Sequence, residues 1–349
     1  MPIHITGKGV SMPQIRCFLL LLTVSFFTQA QKTLVYSDHQ PLEGMRTTFL
    51  KDILFPAIEK ESNGQLKIEA HWNGELAIAY EGLNAVKEGK VDIATVVPEY
   101  TAKELPIHQL FKSFAVGPSD KKQISFFKEV YQDIPELREE LADNNIYDIF
   151  YGTGYSVGFF SREPIPNLLD LDQEKWRSAS FLHLDFLKNL GAAPVRMHWG
   201  PEIYEALKEQ TLDGIMVNID SGYNLKVHEH APYVLASKDL WLGHLYLVAM
   251  NMDTWKNLTP NEREAIKRAT ISSYKKLDNT MKKSFKEQLK TLQEEGAKVR
   301  VLSKKEIEDL AKRTKYKDVQ DKWVNEQEEN GVQHLKEVLT QLRTIHTKL

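Results

Sequence analysis

The sequence has almost no cysteine and no hydrophobic stretch long enough to cross a bilayer. Cys17 is the single cysteine among 349 residues, so no disulfide can form within the chain and a cysteine-based metal site is excluded. The longest apolar run, Cys17–Phe27, is shorter than the roughly 20 residues that a transmembrane helix needs. A cysteine that anchors a lipid would follow such a run, whereas Cys17 begins it, so a lipoprotein anchor is not expected.

That apolar run, with its flanks, is typical of an export signal. Arg16 precedes it, and Thr28–Ala30 follows as a small-residue cleavage site. We therefore predict a signal peptide over residues 1–30, a mature chain from about Gln31, and a periplasmic location. Met12 offers an alternative start codon, and a buried N-terminal helix is the competing interpretation of the run.

There is also no excess of basic charge that would favour nucleic acid or an anionic membrane surface. Lys8 and Arg16 are the only charged residues before Gln31, so the remainder carries 43 basic and 48 acidic side chains, a net charge of −5. No later segment is apolar enough to predict insertion into a membrane. The predicted mature chain has about 319 residues. A single hydrophobic core stops growing at roughly 250–300 residues, so we predict two lobes.

The first half of the mature sequence alternates strand and helix patterns. Strands separated by helices favour parallel pairing with right-handed crossovers. The predicted strands are 33–37, 66–72 and 91–97, with helices over 45–61 and 80–88.

The same alternation restarts after Asn145 and predicts a second lobe with its own βαβαβ unit. Two strands come first, at 146–151 and 155–162. The unit itself consists of strands at 174–178, 194–197 and 214–217 with helices over 182–190 and 201–209.

The last third predicts a return strand and one very long helix. Residues 244–251 are apolar and extended, as expected for a strand that crosses back to the first lobe. Thr259 and Glu262 form a capping-box pattern, and Gly296 stops the helix after roughly 36 residues, or about 54 Å. Such a helix favours a spine across both lobes, with a coiled coil as the alternative. We predict lobe 1 over 31–154, lobe 2 over 155–244, and a final segment 245–349 packing on both.

Arg177 stands at the end of a predicted strand, followed by Ser178 and Ser180 before a helix. A guanidinium offers two parallel donors that match a carboxylate, and hydroxyls with a helix N-terminus complete a plausible acid receptor. From the spacing alone, an arginine that is solvated or paired with a neighbouring acid remains the alternative.

The wider pattern resembles the extracytoplasmic solute-binding proteins of TRAP transporters. The residues that carry the resemblance are Lys175–Ser178, Leu190–Met197, Glu202–Leu207 and Asp213-Gly214 in the second lobe, Gly74, Leu76, Glu81, Val86, Gly89, Asp92, Tyr100 and Pro106 in the first, and Val248–Leu258. The resemblance implies an α/β, two-lobed periplasmic-binding-protein fold with a long helix spanning both lobes. It also implies that Arg177 clamps the carboxylate of an organic acid, that no cofactor is needed, and that the partner is a membrane permease driven by an ion gradient.

Further ligand contacts are predicted less directly. Trp199 stands where many relatives place an aromatic residue against the ligand. Asn218 stands one position beyond the place where relatives have an asparagine that bonds the ligand. The remaining candidates follow strand ends or the crossing between lobes: His39, Glu99, Tyr100, Trp241 and His244. Asp213 and Gly214 are expected to shape the turn into their strand.

One departure from the family narrows the ligand. Many sugar-acid binders carry a second arginine about 20 residues before the clamp, but residues 154–159 contain no basic residue. This absence argues against a sialic-acid-like ligand and favours a smaller or more apolar carboxylate.

Two other functions remain open. The same fold could deliver its ligand to a membrane sensor kinase. A periplasmic enzyme is the weaker alternative, because the sequence has no His-Glu-x-x-His motif, and its one close histidine pair, His228 and His230, fits a solvated surface better than a metal site.

Overall fold

The computed structural model describes residues 1–4, 7, 31–119, 121–153, 157–240 and 245–349. The chain divides into two compact units, Met1–Ala30 and Gln31–Leu349. The predicted signal peptide therefore lies almost wholly outside the described residues, and the fold is that of the second unit.

Four strands and five helices come from the first part of the chain. The predicted helix over 45–61 has the expected extent, but a π-helical turn at Leu50–Leu54 interrupts it. Two helices near residues 121–143 were not predicted. The elements are β1 Lys32–Ser37, α1 Met45–Phe49, α2 Phe55–Glu61, β2 Leu66–His71, α3 Gly82–Lys87, β3 Ile93–Val96, α4 Lys121–Asp133, α5 Pro135–Asp143 and β4 Ile146–Thr153, with 3₁₀ segments at Pro98–Tyr100 and Ile107–Ser113.

The middle of the chain forms the predicted βαβαβ unit and adds a strand that was not predicted. The elements are β5 Val157–Ser161, β6 Lys175–Ser178, α6 Phe181–Asn189, β7 Ala193–Arg196, α7 Glu202–Lys208, β8 Gly214–Asn218, α8 Ile219–Asn224 and β9 Tyr233–Ala236, with a 3₁₀ segment at Val227–Glu229.

The last part begins with the predicted return strand and is otherwise mostly helical. The elements are β10 Leu245–Asn251, α9 Met252–Asn257, α10 Pro260–Glu294, β11 Lys298–Val301, α11 Lys304–Arg313, α12 Tyr316–Glu329 and α13 Leu335–Lys348.

The strands form two sheets. Each sheet, together with the helices and loops packed on it, forms one lobe, and we call these lobe 1 and lobe 2. Lobe 1 has the order β2-β1-β3-β10-β4, and lobe 2 has the order β11-β9-β5-β8-β6-β7. The predicted parallel pairing is correct for β1 with β2 and β3, and for β6 with β7 and β8. Strands β10 and β5 run antiparallel to both of their neighbours. The fold class predicted from the sequence, α/β with two lobes, is confirmed.

Gly214 is required where β8 approaches β6. A Cβ at this position would lie 2.7 Å from ring carbons of Trp176 and 2.8 Å from the carbonyl oxygen of Phe160. The preceding Asp213 accepts a hydrogen bond from the backbone N–H of Lys175 at 2.8 Å. Both residues thus serve the turn and the strand contact, in agreement with the structural role expected for them.

The long helix α10 packs on both lobes. Thr259 and Glu262 form the predicted capping box, and the helix runs for 35 residues, or about 52 Å. Its first half meets lobe 1, where the ring of Tyr274 stacks on Phe150 with centroids 4.6 Å apart. Its second half places Phe285 and Leu292 in the apolar core under β8 and β9. The predicted spine is therefore present.

Helix α12 also connects the lobes. Gln320 donates to the Ser113 hydroxyl of lobe 1 at 3.0 Å, and the Trp323 ring lies 5.9 Å from that of Phe181 in lobe 2. The predicted lobe boundary at 154/155 falls outside the described residues and stays a prediction. Within the part of the chain that the structure describes, no helix is long and apolar enough to span a bilayer.

Candidate functional site

A narrow cavity lies between the two lobes, at the ends of β6 and β8. It contains about 370 Å³ of space that atoms do not fill, part of it open to solvent, and the room left for a water-sized sphere is only about 20 Å³. Lobe 1 contributes the 3₁₀ segment after β3 and a tyrosine of β10, and lobe 2 contributes the rest. The lining residues are Glu99, Tyr100, Val157, Arg177, Ser178, Ala179, His183, Trp199, Met216, Val217, Asn218, Ser221 and Tyr246.

Arg177 is the cationic group of this cavity, and β6 delivers it there as its third residue. The side chain is 1% exposed, and its Nε and Nη2 both donate to the carbonyl of Met197, at 3.0 and 2.7 Å. Burial lowers the pKa of Arg177, an effect that the nearby Tyr100 and Glu99 oppose. Among the described residues, no carboxylate pairs with it and no acceptor engages Nη1. The edge formed by the two terminal nitrogens can therefore receive an acid.

Aromatic rings form the wall beside Arg177. Its guanidinium carbon lies 5.7 Å from the centre of the Trp199 ring. The Tyr80 hydroxyl of lobe 1 accepts a hydrogen bond from the Trp199 backbone N–H at 3.1 Å. The Tyr80 ring also stacks on His198 of lobe 2 and contacts Tyr100, each with centroids 4.4 Å apart. These contacts hold the two lobes together at one side of the cavity.

A buried ion pair faces the cavity from lobe 1. Glu99 Oε2 lies 3.0 Å from Nζ of Lys112, with the two side chains 6% and 3% exposed. Burial lowers the pKa of Lys112, while the charge of Glu99 opposes that effect. No hydrogen bond within the described ranges engages the second oxygen of Glu99, Oε1.

His183 of α6 is neutral and orients a hydroxyl. Its Nε2 donates to the carbonyl of Lys112 at 3.0 Å, so Nδ1 is the acceptor for the Ser178 hydroxyl at 3.3 Å. Burial, together with the charge of Lys112, places the pKa of His183 well below its ordinary value. Because the Ser178 proton is directed to His183, the oxygen of Ser178 remains an acceptor in the cavity wall.

Beneath Tyr246, a second buried arginine is fully paired within lobe 1. Arg46 makes a two-point contact with Asp38, at 2.6 and 2.9 Å, and its guanidinium lies 4.4 Å from the Tyr246 ring centre. Burial alone would raise the pKa of Asp38, but the charge and hydrogen bonds of Arg46 lower it overall. This pair supports the wall and brings no free charge to the cavity.

Asp220 is a buried carboxyl in the first turn of α8. It is 8% exposed, and its Oδ1 has no hydrogen-bond partner. Burial raises its pKa to about 6, although the Ser221 backbone N–H and the charge of Arg46 work against that shift. It is not among the residues that line the cavity.

The structure brings together five of the eight predicted ligand contacts: Arg177, Trp199, Asn218, Glu99 and Tyr100. His39 is not among the lining residues; its side chain is 5% exposed and its ring meets that of Tyr100, with centroids 6.0 Å apart. Trp241 and His244 lie outside the described residues.

Several lining or supporting residues were missed by sequence reasoning: Lys112, His183, Tyr246, Tyr80 and Asp220. Lys112 lies in a 3₁₀ segment and Tyr80 in a loop, where no periodicity marks which side chains face inward. Tyr246 had a usable signal, because the return strand was predicted to cross between the lobes and to bring its first residues to the cleft.

The histidine pair before Ala231 is not a solvated surface, contrary to the interpretation of the sequence. His228 is 5% exposed, its Nε2 lies 2.9 Å from a carboxylate oxygen of Glu295, and its ring stacks on Tyr223. Helix α10 ends against this histidine, which explains its burial. No group of three or more metal-ligating side chains occurs in the described ranges.

A cleft lined by two α/β lobes, together with a long helix that packs on both of them, is the arrangement of two-lobed solute-binding proteins. The chain belongs to the family of bacterial extracellular solute-binding proteins, family 7 (DctP), whose model matches residues 52–327. The TRAP solute-binding family predicted from the sequence is thereby confirmed.

Individual relatives are distant in sequence and similar in fold. The C4-dicarboxylate-binding protein DctB of Bacillus subtilis is 24% identical over 267 residues, covering 73% of each chain. A TRAP solute-binding protein of Rhodoferax ferrireducens, solved with copurified benzoate, is 21% identical with a TM-score of 0.77, covering 91% of this chain and 98% of that one. A marine metagenome protein described as specific for pyroglutamate is 18% identical with a TM-score of 0.73, covering 90% and 99%.

Proposed function

We propose that this protein captures a small organic acid outside the cytoplasm and delivers it to a TRAP-type permease, with Arg177 as the carboxylate clamp. The observation that carries the proposal is a guanidinium that is 1% exposed, lines the interlobe cavity, and has no acidic partner among the described residues. A buried charge without a counter-ion is costly, and a ligand carboxylate removes that cost.

The surrounding residues suit a small, flat acid. Trp199 and Tyr100 offer ring faces, Asn218 offers an amide, and Met216 and Val217 offer apolar contact. Relatives with this fold are described with bound benzoate, pyroglutamate and orotic acid, each of which is a ring that carries a carboxylic acid group. These relatives support an acid as the ligand class, whereas the choice of acid rests on this chain's own residues.

Capture requires the lobes to move apart. Tyr80 closes one side of the cavity through its contacts with His198 and Trp199, so a ligand enters when these contacts open. A ligand that touches Arg177 in lobe 2 and Glu99 in lobe 1 bridges both lobes only in the closed form, and its binding therefore shifts the population toward closure. We propose that the permease recognises this closed form.

Two parts of the proposal concern location and fate. Residues 1–30 act as a signal peptide, and the mature protein works in the periplasm from about Gln31, which is also where the large compact unit begins. Delivery to a membrane sensor kinase remains the second candidate, because the same closed form could be recognised by a receptor.

An enzyme is less well supported. Residues 154–158 read Gly-Tyr-Ser-Val-Gly, the spacing of the nucleophile elbow of serine hydrolases. That elbow joins a strand to a helix, whereas here Val157 begins strand β5. The cavity residue His183 is committed to Lys112 and Ser178 and has its pKa lowered by burial. Recovery of a bound acid unchanged after prolonged incubation tests this point.

The test is thermal melting of the purified protein against a panel of acids. Keto acids, dicarboxylates, sugar acids and aromatic acids are compared with neutral sugars and amino acids. A ligand at 100 times its Kd adds about 2.7 kcal/mol of stability, which is a readable shift in Tm. A shift confined to carboxylates supports the proposal, and a shift only with neutral compounds removes the clamp from it.

A further inference from the structure

The charges around the cavity leave room for one carboxylate only. Arg177 is the unpaired cation of the lining, while Lys112 is engaged by Glu99 at 3.0 Å. His183 donates to a carbonyl and is neutral. Arg46 is held by both oxygens of Asp38. Among the residues that line the cavity, a second ligand carboxylate would find no cation of its own.

Two polar side-chain oxygens of the wall, on Glu99 and Ser178, are left as acceptors. Glu99 Oε1 has no hydrogen-bond partner in the described ranges, and the Ser178 hydroxyl is directed toward His183 at 3.3 Å. Both residues line the cavity. A carboxylate next to Glu99 would place like charges together in a desolvated space, whereas an N–H or O–H group would satisfy the waiting acceptor.

The two ends of the site lie on different lobes. Arg177 is carried by β6 of lobe 2, and Glu99 by the 3₁₀ segment Pro98–Tyr100 of lobe 1. Both residues line the same narrow cavity. A ligand of a few ring or chain atoms can therefore reach both groups, with its acid at one end and its donor at the other.

We infer that the ligand is a small monocarboxylate that carries an N–H or O–H donor away from its acid group. Glu99 accepts a hydrogen bond from this donor, and its negative charge weakens the binding of dicarboxylates. This inference rests on the proposed function. It makes Glu99 the residue that determines specificity, while Arg177 determines that an acid binds at all.

Calorimetric titration of the purified protein with three matched acids tests the inference. 5-Hydroxypentanoate carries an acid at one end and an O–H at the other, pentanoate lacks the O–H, and glutarate places a second carboxylate at the same length. In the unmodified protein we expect 5-hydroxypentanoate to bind at least tenfold more tightly than either of the others. Glu99→Gln should reduce the preference over glutarate by tenfold or more, because the repulsion is lost.

Two further variants keep the result interpretable. Glu81→Gln makes the same change at an exposed position in lobe 1 and should leave all three affinities unchanged. Glu99→Gln removes the negative charge that pairs with Lys112, so the double variant Glu99→Gln/Lys112→Gln, which removes both charges of the pair, should show the same loss of preference.

The outcomes separate the inference from the proposed function. Preference for glutarate in the unmodified protein, or an unchanged preference in both Glu99 variants, overturns the role of Glu99 while leaving an acid-binding protein. Equal binding of pentanoate and 5-hydroxypentanoate overturns the donor requirement. Binding of no carboxylate in the wider panel overturns the proposed function and the inference together.

Discussion

Removing the guanidinium of Arg177 should abolish most of the affinity for an acid. Its free edge can form two charge-assisted hydrogen bonds with a carboxylate, at a position that is 1% exposed and poorly screened by water. Truncating one partner of such a desolvated pair costs about 2–5 kcal/mol. At about 1.4 kcal/mol per tenfold change, Arg177→Ala should raise Kd roughly 30-fold to several thousand-fold.

Isothermal calorimetry with the acid identified in the melting panel measures this change. Arg177→Lys keeps a charge but loses the planar pair of donors, so we expect an intermediate affinity. Arg196→Ala is the matched control, because Arg196 pairs in register with Ser178 on the neighbouring strand but is exposed. A Kd for Arg177→Ala within threefold of the unmodified protein, with the variant still folded by urea titration, would refute the clamp.

Three other perturbations test the cleft and the fold. Tyr80→Phe removes one hydrogen bond between the lobes, worth about 1 kcal/mol, and should increase the ligand dissociation rate about fivefold in stopped-flow measurements; Tyr80→Ala should increase it further. Asp220→Asn should stabilise the protein at pH 7.5 by about 1–3 kcal/mol in urea titrations. Burial raises the folded-state pKa of Asp220 to about 6, above the unfolded value of about 3.9, so the stability of the protonated form is present below that lower value and is lost as the pH rises through 6. Thr259→Ala removes the capping box of α10 and should cost about 1 kcal/mol, whereas Thr280→Ala, at a half-buried position within the same helix, should cost little.

Each of these expectations has a contradicting result. Dissociation rates that are equal in the two Tyr80 variants and the unmodified protein would mean that the cleft is held shut elsewhere. If the stability of Asp220→Asn falls as steeply as that of the unmodified protein between pH 4 and 6, another group titrates there. Equal losses for Thr259→Ala and Thr280→Ala would remove any special role for the cap.

Local patterns account for the elements that the sequence predicted well. The capping box at Thr259 fixes where α10 begins, and the alternation of strands and helices predicts both parallel units. The direction of β5 and the place of β10 could not be predicted, because pairing between distant strands leaves no local pattern. Strand β11 was missed for a related reason: its four residues Lys298–Val301 are mostly exposed at a sheet edge and show little alternation.

The cavity lining was predictable where one residue stands out in the sequence. Arg177 could be found because a strand end and a family pattern both mark it. The pairing of Glu99 with Lys112 could not be predicted, because it depends on how the two 3₁₀ segments that carry these residues pack against each other. The burial of Asp220 could not be predicted either, because nothing around it in the sequence indicates that the first turn of α8 is buried.

The position of β10 constrains how a growing chain can fold. This strand lies between β3 and β4, so the two halves of the lobe 1 sheet share no neighbour until Leu245–Asn251 has emerged. Lobe 2 in turn lacks its edge strand until Val301. Pairing across such sequence distances is slow. A partly synthesised chain therefore cannot complete either sheet before these strands have emerged.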